Sequence, residues 1–243
     1  MRTVLITGAT SGIGKACVEK FSREGFKIIA IGRNEKKLIK LKKISLNSGA
    51  NSFVKIKCDF NNEKEFKKLI INLKKIKNLD CLINCAGIAL KSRISSMDLK
   101  EWNMVMKINL SIPFFLIKNL IKQLSKSKNA SIINISSIAG RNRSISLGCH
   151  YTTSKAGLIG LTRHLASELG KKNIRVNCTT PGQTHTPMLK SSLSRKRQID
   201  LAKTIPLKRL SMPSDQAEVI YFLSTKEASY INGAVIDVNG GIL

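Results

Sequence analysis

Short apolar runs alternate along the whole chain with longer stretches in which apolar residues recur every three or four positions. Strands are predicted at Thr3-Val4-Leu5-Ile6-Thr7, Lys27-Ile28-Ile29-Ala30-Ile31, Ser52 to Asp59, Asp80-Cys81-Leu82-Ile83-Asn84, Ser131 to Ile135, Ile174 to Thr180 and Ala234 to Val238. Helical spacing fills the intervals: Ala16, Val18 and Phe21 before a stop near Gly25, the lysine-rich run Glu35 to Lys43, Asn62 to Ile76, Lys100 to Ser125, Tyr151 to Gly170, and Pro213 to Ser224. Pro113, inside the fourth of these, predicts a kink or a freed carbonyl nearby. Residues 188–211 carry the least pattern and read as a mobile substrate lid. The alternation predicts one α/β domain over 1–243, a doubly wound, mostly parallel sheet with helices on both faces.

Length and charge refine this picture. A chain of 243 residues can bury one large core. Its Lys and Arg number 42 against 15 Asp and Glu, a net charge of +27, which suits either a basic surface for a polyanion or acidic protein, or lysines on solvated helix faces. The lysines interleaved with apolar residues at helical spacing in Glu35 to Lys43 favour the second. The first residues enter a strand without a leader pattern, and no apolar stretch is expected to span a bilayer, so a cytoplasmic protein is expected. Six cysteines (17, 58, 81, 85, 149, 178) lack paired spacing and are expected to be reduced, buried thiols; no metal site is expected.

The densest chemistry lies between Ser136 and Gly157. Tyr151 and Lys155 are four apart, so on a helix the phenol and the ammonium share a face. A cation beside a phenol favours phenolate, and drawing a tyrosine two or three units toward neutrality needs about 3–4 kcal/mol of differential stabilisation. Ser137, just beyond an apolar strand, carries a hydroxyl that can bind a carbonyl oxygen. The three together predict carbonyl reduction.

Cofactor chemistry is predicted independently. Thr7-Gly8-Ala9-Thr10-Ser11-Gly12-Ile13-Gly14 lies between a strand and a helix, where glycines let backbone approach a pyrophosphate and free N–H groups face an anion. Gly32-Arg33-Asn34 ends the second strand without an acid; Arg33 either pairs with a ribose 2′-phosphate or is a solvated loop arginine. Asp59 meets the adenine or caps a turn; Asn84 precedes the small residues Ala86 and Gly87, which admit a cofactor, and itself reads as a bridge between strands. Asn109 holds a water or is a satisfied core amide. Pro181-Gly182-Gln183-Thr184-His185-Thr186-Pro187 turns at the carboxyl end of a strand, where ligands bind in open sheets; His185 is given no role.

Taken together, Thr7-Gly8-x-x-x-Gly12-Ile13-Gly14, Asn84-Cys85-Ala86-Gly87, Asn109, Ser137, Tyr151-x-x-x-Lys155 and Pro181-Gly182 resemble the short-chain dehydrogenase/reductase family over essentially the whole chain. The resemblance implies a Rossmann-type fold and an NADP(H)-dependent oxidoreductase. Ser137 would orient the carbonyl, Tyr151 would be the acid, Lys155 would bind the nicotinamide ribose and lower the tyrosine pKa, and Asn109 would hold a relay water. Gly8, Ser11, Gly12, Ile13, Arg33, Asp59, Asn84, Ala86, Gly87, Thr184 and Thr186 match cofactor-contact positions, with Pro181 and Gly182 beside them. Among family members the chain is most similar to 3-oxoacyl-(acyl-carrier-protein) reductases, including Pro206-Leu207-x-Arg209-Leu210 and Val238-Asn239-Gly240-Gly241. That likeness implies a carrier-linked thioester substrate and a homotetramer; with an acidic carrier as partner, Lys126, Lys128, Lys171 and Lys172, in the turns before the strands at Ser131 and Ile174, are the expected docking residues. Cys85, a Ser137-to-Tyr151 loop one residue longer, and Gln183-Thr184-His185-Thr186 depart from the usual pattern beside the substrate. Two other readings are a dehydrogenase of another small or cyclic ketone, and a basic nucleic-acid-binding or scaffold protein.

Overall fold

The computed structural model describes residues 2–144 and 146–242. Seven strands form one sheet: β1 (Thr3–Thr7), β2 (Lys27–Gly32), β3 (Ser52–Lys57), β4 (Cys81–Asn84), β5 (Ala130–Ile135), β6 (Ile174–Pro181) and β7 (Val235–Val238). Their order is β3-β2-β1-β4-β5-β6-β7 and every pairing is parallel, so each step between neighbours needs a crossover. The helices are α1 (Gly12–Arg23), α2 (Glu35–Asn47), α3 (Glu63–Leu73), α4 (Leu99–Met106), α5 (Ile112–Leu124), α6 (Ile138–Arg141), α7 (Cys149–Gly170), α8 (Pro187–Ser192), α9 (Arg195–Thr204) and α10 (Pro213–Ser224).

Both faces of the sheet are buried. Val4, Ile6, Ile28, Ala30, Ile83 and Ile133 pack against α1, α2 and α10, whereas Leu5, Ile29, Ile31, Leu82 and Ile132 pack against α3, α5 and α7. Burial on both sides removes the polar alternate residues of a one-sided sheet, which is why these strands read as continuous apolar runs.

Several boundaries differ from the sequence reading. β3 stops at Lys57, and Asp59 lies in the following turn, where its carboxylate accepts the Asn61 N–H at 2.9 Å. The helix expected over Asn62 to Ile76 is Glu63–Leu73, with Asn62 capping its first turn. α7 begins two residues before Tyr151, at Cys149. The stretch 188–211 contains α8 and α9, which are short and largely exposed and so leave little apolar period to detect.

The helix around Pro113 changes register instead of simply kinking. Between α4 and α5 the residues Lys107–Ser111 form a π-turn, in which the Ile112 N–H reaches back five residues to the Lys107 carbonyl. Pro113 then occupies the first turn of α5, where its lack of an N–H is tolerated. By length and composition the continuous helix Leu99–Leu124 is apolar enough to cross a membrane, contrary to the expectation from sequence. In the fold it packs Val105, Ile108, Leu116, Ile117, Leu120 and Leu124 into the core. All six cysteines are free, but Cys149 is exposed and Cys85 only half-buried, because one opens α7 and the other borders a cleft.

Candidate active site

The strand order reverses between β1 and β4, and their carboxyl ends diverge there into a cleft, as the topology requires. It has two lobes, of about 540 Å³ and about 550 Å³, which share Gly8, Ser11, Ala86 and Gly87.

The shared wall is a tight strand-turn-helix. Gly8 and Gly12 have φ of +65° and +51°, conformations that a side chain strains. A Cβ on Gly14 would stand 2.4 Å from the Gly8 carbonyl oxygen, so only glycine lets α1 pack on the turn. Ser11 begins α1 without a side-chain cap, which leaves first-turn N–H groups available to an anion. Thr7 Oγ1 accepts the N–H groups of Cys85 and Ala86, each at 3.0 Å, and holds the end of β4 against β1.

One lobe is lined by Thr10, Arg33, Asn34, Lys37 and Asp59. Arg33 is exposed at its rim, while the Asn34 side chain is committed to capping α2 through the Lys37 N–H. A Cβ on Gly32 would lie 2.7 Å from the Thr10 methyl, so an acid at this position displaces Thr10.

The other lobe holds the proposed chemistry. Ser137 follows β5, caps α6 by accepting the Ala139 N–H at 3.2 Å, and lines the same lobe as Tyr151. Gly140 allows α6 to lie on α7: a Cβ there would be 2.7 Å from the Lys155 carbonyl carbon. Ser136 Oγ donates to that carbonyl, at 2.8 Å. The Lys155 ammonium donates to the Ile135 carbonyl at 2.7 Å and lies 5.8 Å from the Tyr151 ring centre. Phenol and ammonium thus share a face as expected. Their electrostatics do not follow the expectation: burial raises the Tyr151 phenol above its ordinary value, with the neighbouring Ser137 hydroxyl drawing it down only in part. Burial also lowers Lys155 to about 8, opposed by the neighbouring Cys85 and Cys178 sulfurs. Desolvation outweighs the cation at this separation, so Tyr151 is held as a protonated phenol.

The Asn109 amide is hydrogen-bonded through its oxygen and both of its N–H groups. Its Oδ1 accepts the Ile88 N–H at 2.9 Å, and its Nδ2 donates to the Ile88 carbonyl and to Ser154 Oγ, both at 3.0 Å. The side chain is thus held as a core amide, with both N–H groups donated and one lone pair of Oδ1 left on the side of Gly87. Asn84 likewise lies behind the cleft: it is buried and its Nδ2 donates to Asn134 Oδ1 at 2.8 Å, bridging β4 and β5. Ile13, Pro181, Gly182, Thr184 and Thr186 line the lobe of Tyr151. The Thr184 hydroxyl is turned to the Gly182 carbonyl at 3.1 Å, and Thr186 caps α8. Lys126, Lys128, Lys171 and Lys172 precede β5 and β6 and are exposed at the amino edge of the sheet, so within one chain they stand opposite the cleft and not at its mouth. Besides Lys155, the basic residues that line this lobe of the cleft are Lys91 and Arg143.

Sequence reasoning passes over Thr7, Ser136, Ser154 and His150. His150 carries the one available signal, a polar residue beside the reactive tyrosine in the first turn of a helix; it is completely buried.

Comparison with known proteins agrees with this geometry. A family model described as enoyl-(acyl carrier protein) reductase matches residues 8–243. A 3-oxoacyl-(acyl-carrier-protein) reductase of Rickettsia typhi is 37% identical over 100% of this chain and 97% of its own, and one of Thermotoga maritima is 35% identical over 100% and 98%. The crystal structure of a 3-oxoacyl-(acyl-carrier-protein) reductase from Brucella melitensis with bound NAD, 31% identical, superposes with a TM-score of 0.89 over 99% of this chain and 90% of its own. The all-parallel sheet, the glycine turn at its switch point and the Ser-Tyr-Lys wall are thus accompanied by full-length sequence similarity, and the chain belongs to the short-chain dehydrogenase/reductase family.

Proposed function

We propose that the chain is an NADPH-dependent ketoreductase that converts a 3-oxoacyl thioester on an acyl carrier protein to the 3-hydroxyacyl thioester. The observation that carries this reading is that the hydroxyl-bearing side chains of Ser137 and Tyr151 line one lobe of the cleft together with Lys155. Two converging O–H groups present donors to one sp² oxygen, as carbonyl reduction requires. Substrate and carrier follow the names of the relatives.

The residues present fit a nicotinamide dinucleotide. The turn at Gly8, Ser11, Gly12 and Ile13 would take the pyrophosphate. Arg33, Lys37 and Asp59 would face the adenosine, and Ala86, Gly87, Tyr151, Lys155, Pro181, Gly182, Thr184 and Thr186 the nicotinamide end. When bound, NADPH supplies a hydride to the carbonyl carbon. Ser137 Oγ orients the carbonyl oxygen, and Tyr151 Oη gives that oxygen a proton, to be replaced from solvent. Lys155, anchored on the Ile135 carbonyl, holds a positive charge near the phenol and stabilises the negative charge that develops on its oxygen as the proton leaves. The lid of α8 and α9, tied to the cleft wall by the Lys91 ammonium on the Ser192 carbonyl at 2.6 Å, covers the substrate. We also propose a cytoplasmic homotetramer; exposed Phe114 and Phe115 on α5 supply apolar surface for self-association.

The reading is tested by following NADPH oxidation with acetoacetyl, crotonyl and cyclic-diketone substrates. Acetoacetyl thioester is expected to turn over fastest. Tyr151→Phe should lose about 10²–10⁴-fold in kcat while still binding NADPH. Turnover of crotonyl thioester alone would assign an enoyl reductase, and a Tyr151→Phe variant near wild type would end the assignment of the proton donor.

A further inference from the structure

The first turn of α7 leaves its leading N–H groups without intrahelical partners, and its cap, Gly148, has no side chain to satisfy them. The Tyr151 N–H is one of these. It reaches the Gly148 carbonyl at 3.0 Å and also the ring Nδ1 of the adjacent His150 at 2.8 Å. Nδ1 accepts and therefore presents a lone pair, which leaves the ring proton on Nε2. Nε2 stands 2.7 Å from the Glu101 carboxylate on α4, its hydrogen-bond partner. Glu101 is itself fixed, its N–H donating to the capping Asp98 at 2.6 Å. Gly148 makes room for the ring: a Cβ there would lie 2.6 Å from His150 Cε1.

The carbonyl of the same residue is also held. The Tyr151 carbonyl accepts from Ser154 Oγ at 2.8 Å, and Ser154 Oγ accepts from Asn109 at 3.0 Å. Both backbone polar groups of the tyrosine are thus held by side chains anchored on the helix Leu99–Leu124: through Glu101 on α4 for the N–H, and through Asn109 in the π-turn for the carbonyl.

We propose that His150 is a positioning residue for Tyr151: its imidazole, oriented by Glu101, caps the tyrosine N–H and fixes the phenol against Ser137. This rests on the reading of Tyr151 as proton donor. An exposed imidazole linked to a carboxylate would be ordinary surface chemistry. Here the ring is fully buried, its tautomer is set from both ends, and one end is the backbone of the reacting residue.

The test compares His150→Leu, His150→Asn, Glu101→Leu and Tyr151→Phe. Leucine removes the side-chain acceptor and leaves the Tyr151 N–H with the Gly148 carbonyl alone. Asparagine keeps one, because its Oδ1 occupies the place of histidine Nδ1 on an equally short stem. In His150→Leu, kcat should fall by about ten- to a hundredfold, the scale of a displaced catalytic group, with the NADPH dissociation constant unchanged and deuterium uptake faster in the peptide spanning 149–152. His150→Asn should recover most of kcat and of the protection. Glu101→Leu should lower kcat alone but add nothing to His150→Asn, which does not reach the carboxylate. Equal loss in His150→Leu and His150→Asn, or His150→Leu with wild-type kcat, would overturn the proposal. Because Tyr151→Phe is measured alongside, an active Tyr151→Phe identifies failure of the underlying reading, whereas an inactive one beside an active His150→Leu confines the failure to His150.

Discussion

At Arg33 and Lys155 the consequences of single charges separate cleanly. Arg33 is exposed at the rim of its lobe, and Gly32 beside it has no carboxylate to hold a ribose diol or repel a phosphate. A charge-assisted hydrogen bond to a 2′-phosphate contributes about 1.5–3 kcal/mol, so NADPH should be preferred over NADH by roughly ten- to a hundredfold. Arg33→Ala should erase most of that preference through the NADPH KM; a ratio of kcat/KM values unchanged by the substitution would mean that the guanidinium faces only solvent. Gly32→Asp should turn the enzyme toward NADH only when combined with Thr10→Gly, because the added Cβ meets the Thr10 methyl. Lys155 makes a different prediction. Its native pKa of about 8 lies below its ordinary 10.5, so the unfolded chain holds this proton more tightly. Below pH 8 the native state bears the whole penalty of a buried ammonium, of the order of 3 kcal/mol, and as pH rises toward 10.5 the native lysine is neutral and the penalty disappears. The contribution of Lys155 to stability therefore rises with pH across that window. In urea unfolding without cofactor, the stability of wild type relative to Lys155→Met should improve between pH 7 and 10; a constant difference would show that the ammonium is not desolvated.

Elements are legible in this sequence to the degree that their geometry is local. The glycine turn illustrates it: Gly8, Gly12 and Gly14 are demanded by backbone within a few residues, and the reading of a strand, a turn and a helix holds. Gly14→Ala should overpack this turn against the Gly8 carbonyl, costing about 1–3 kcal/mol and weakening NADPH binding. Gly160→Ala is the matched control, since nothing lies within 4 Å of a Cβ there and a helix-interior alanine should stabilise by roughly 0.5–1 kcal/mol. Similar melting shifts in the two variants would refute the close approach of α1 to the turn. The central strands are readable for the same local reason, their two-sided burial leaving apolar runs, whereas the edge strands β3 and β7 are partly exposed and carry polar residues. The π-turn is not, because Pro113 announces an irregularity without saying whether the helix bends or changes register. Nor is His150: its meaning lies in Glu101, 49 residues away, which only the packing of α4 on α7 brings to it. The same holds for the tyrosine's protonation, since the spacing of Tyr151 and Lys155 shows that they share a face but not that burial outweighs their attraction.

Across the whole molecule the charge of +27 is distributed rather than gathered. Lysines cover the solvent sides of α2 and α3, basic residues open α9, and further lysines lie at the amino edge of β5 and β6. Such a surface has no single docking patch, yet its summed field attracts any acidic partner from a distance and is screened beyond about 8–10 Å at physiological salt. Near the cleft the same sign continues with Lys91 and Arg143, and Lys91 is already engaged with the end of α8. Two substrates with identical reacting groups should therefore respond differently to ionic strength. For a 3-oxoacyl group on an acidic carrier protein, kcat/KM should fall by roughly tenfold or more between low and moderate salt, because encounter is steered. For a small, uncharged acetoacetyl thioester it should change less than about twofold, because no long-range attraction is lost. Arg143→Glu should lower the carrier-linked value and flatten its salt dependence while leaving the small thioester nearly unaffected. The comparison cancels any effect of salt on the cofactor, the chemistry or the fold, since both substrates share them. An equal salt response for the two substrates would remove the carrier from the function of this surface and leave its lysines as solvated helix faces.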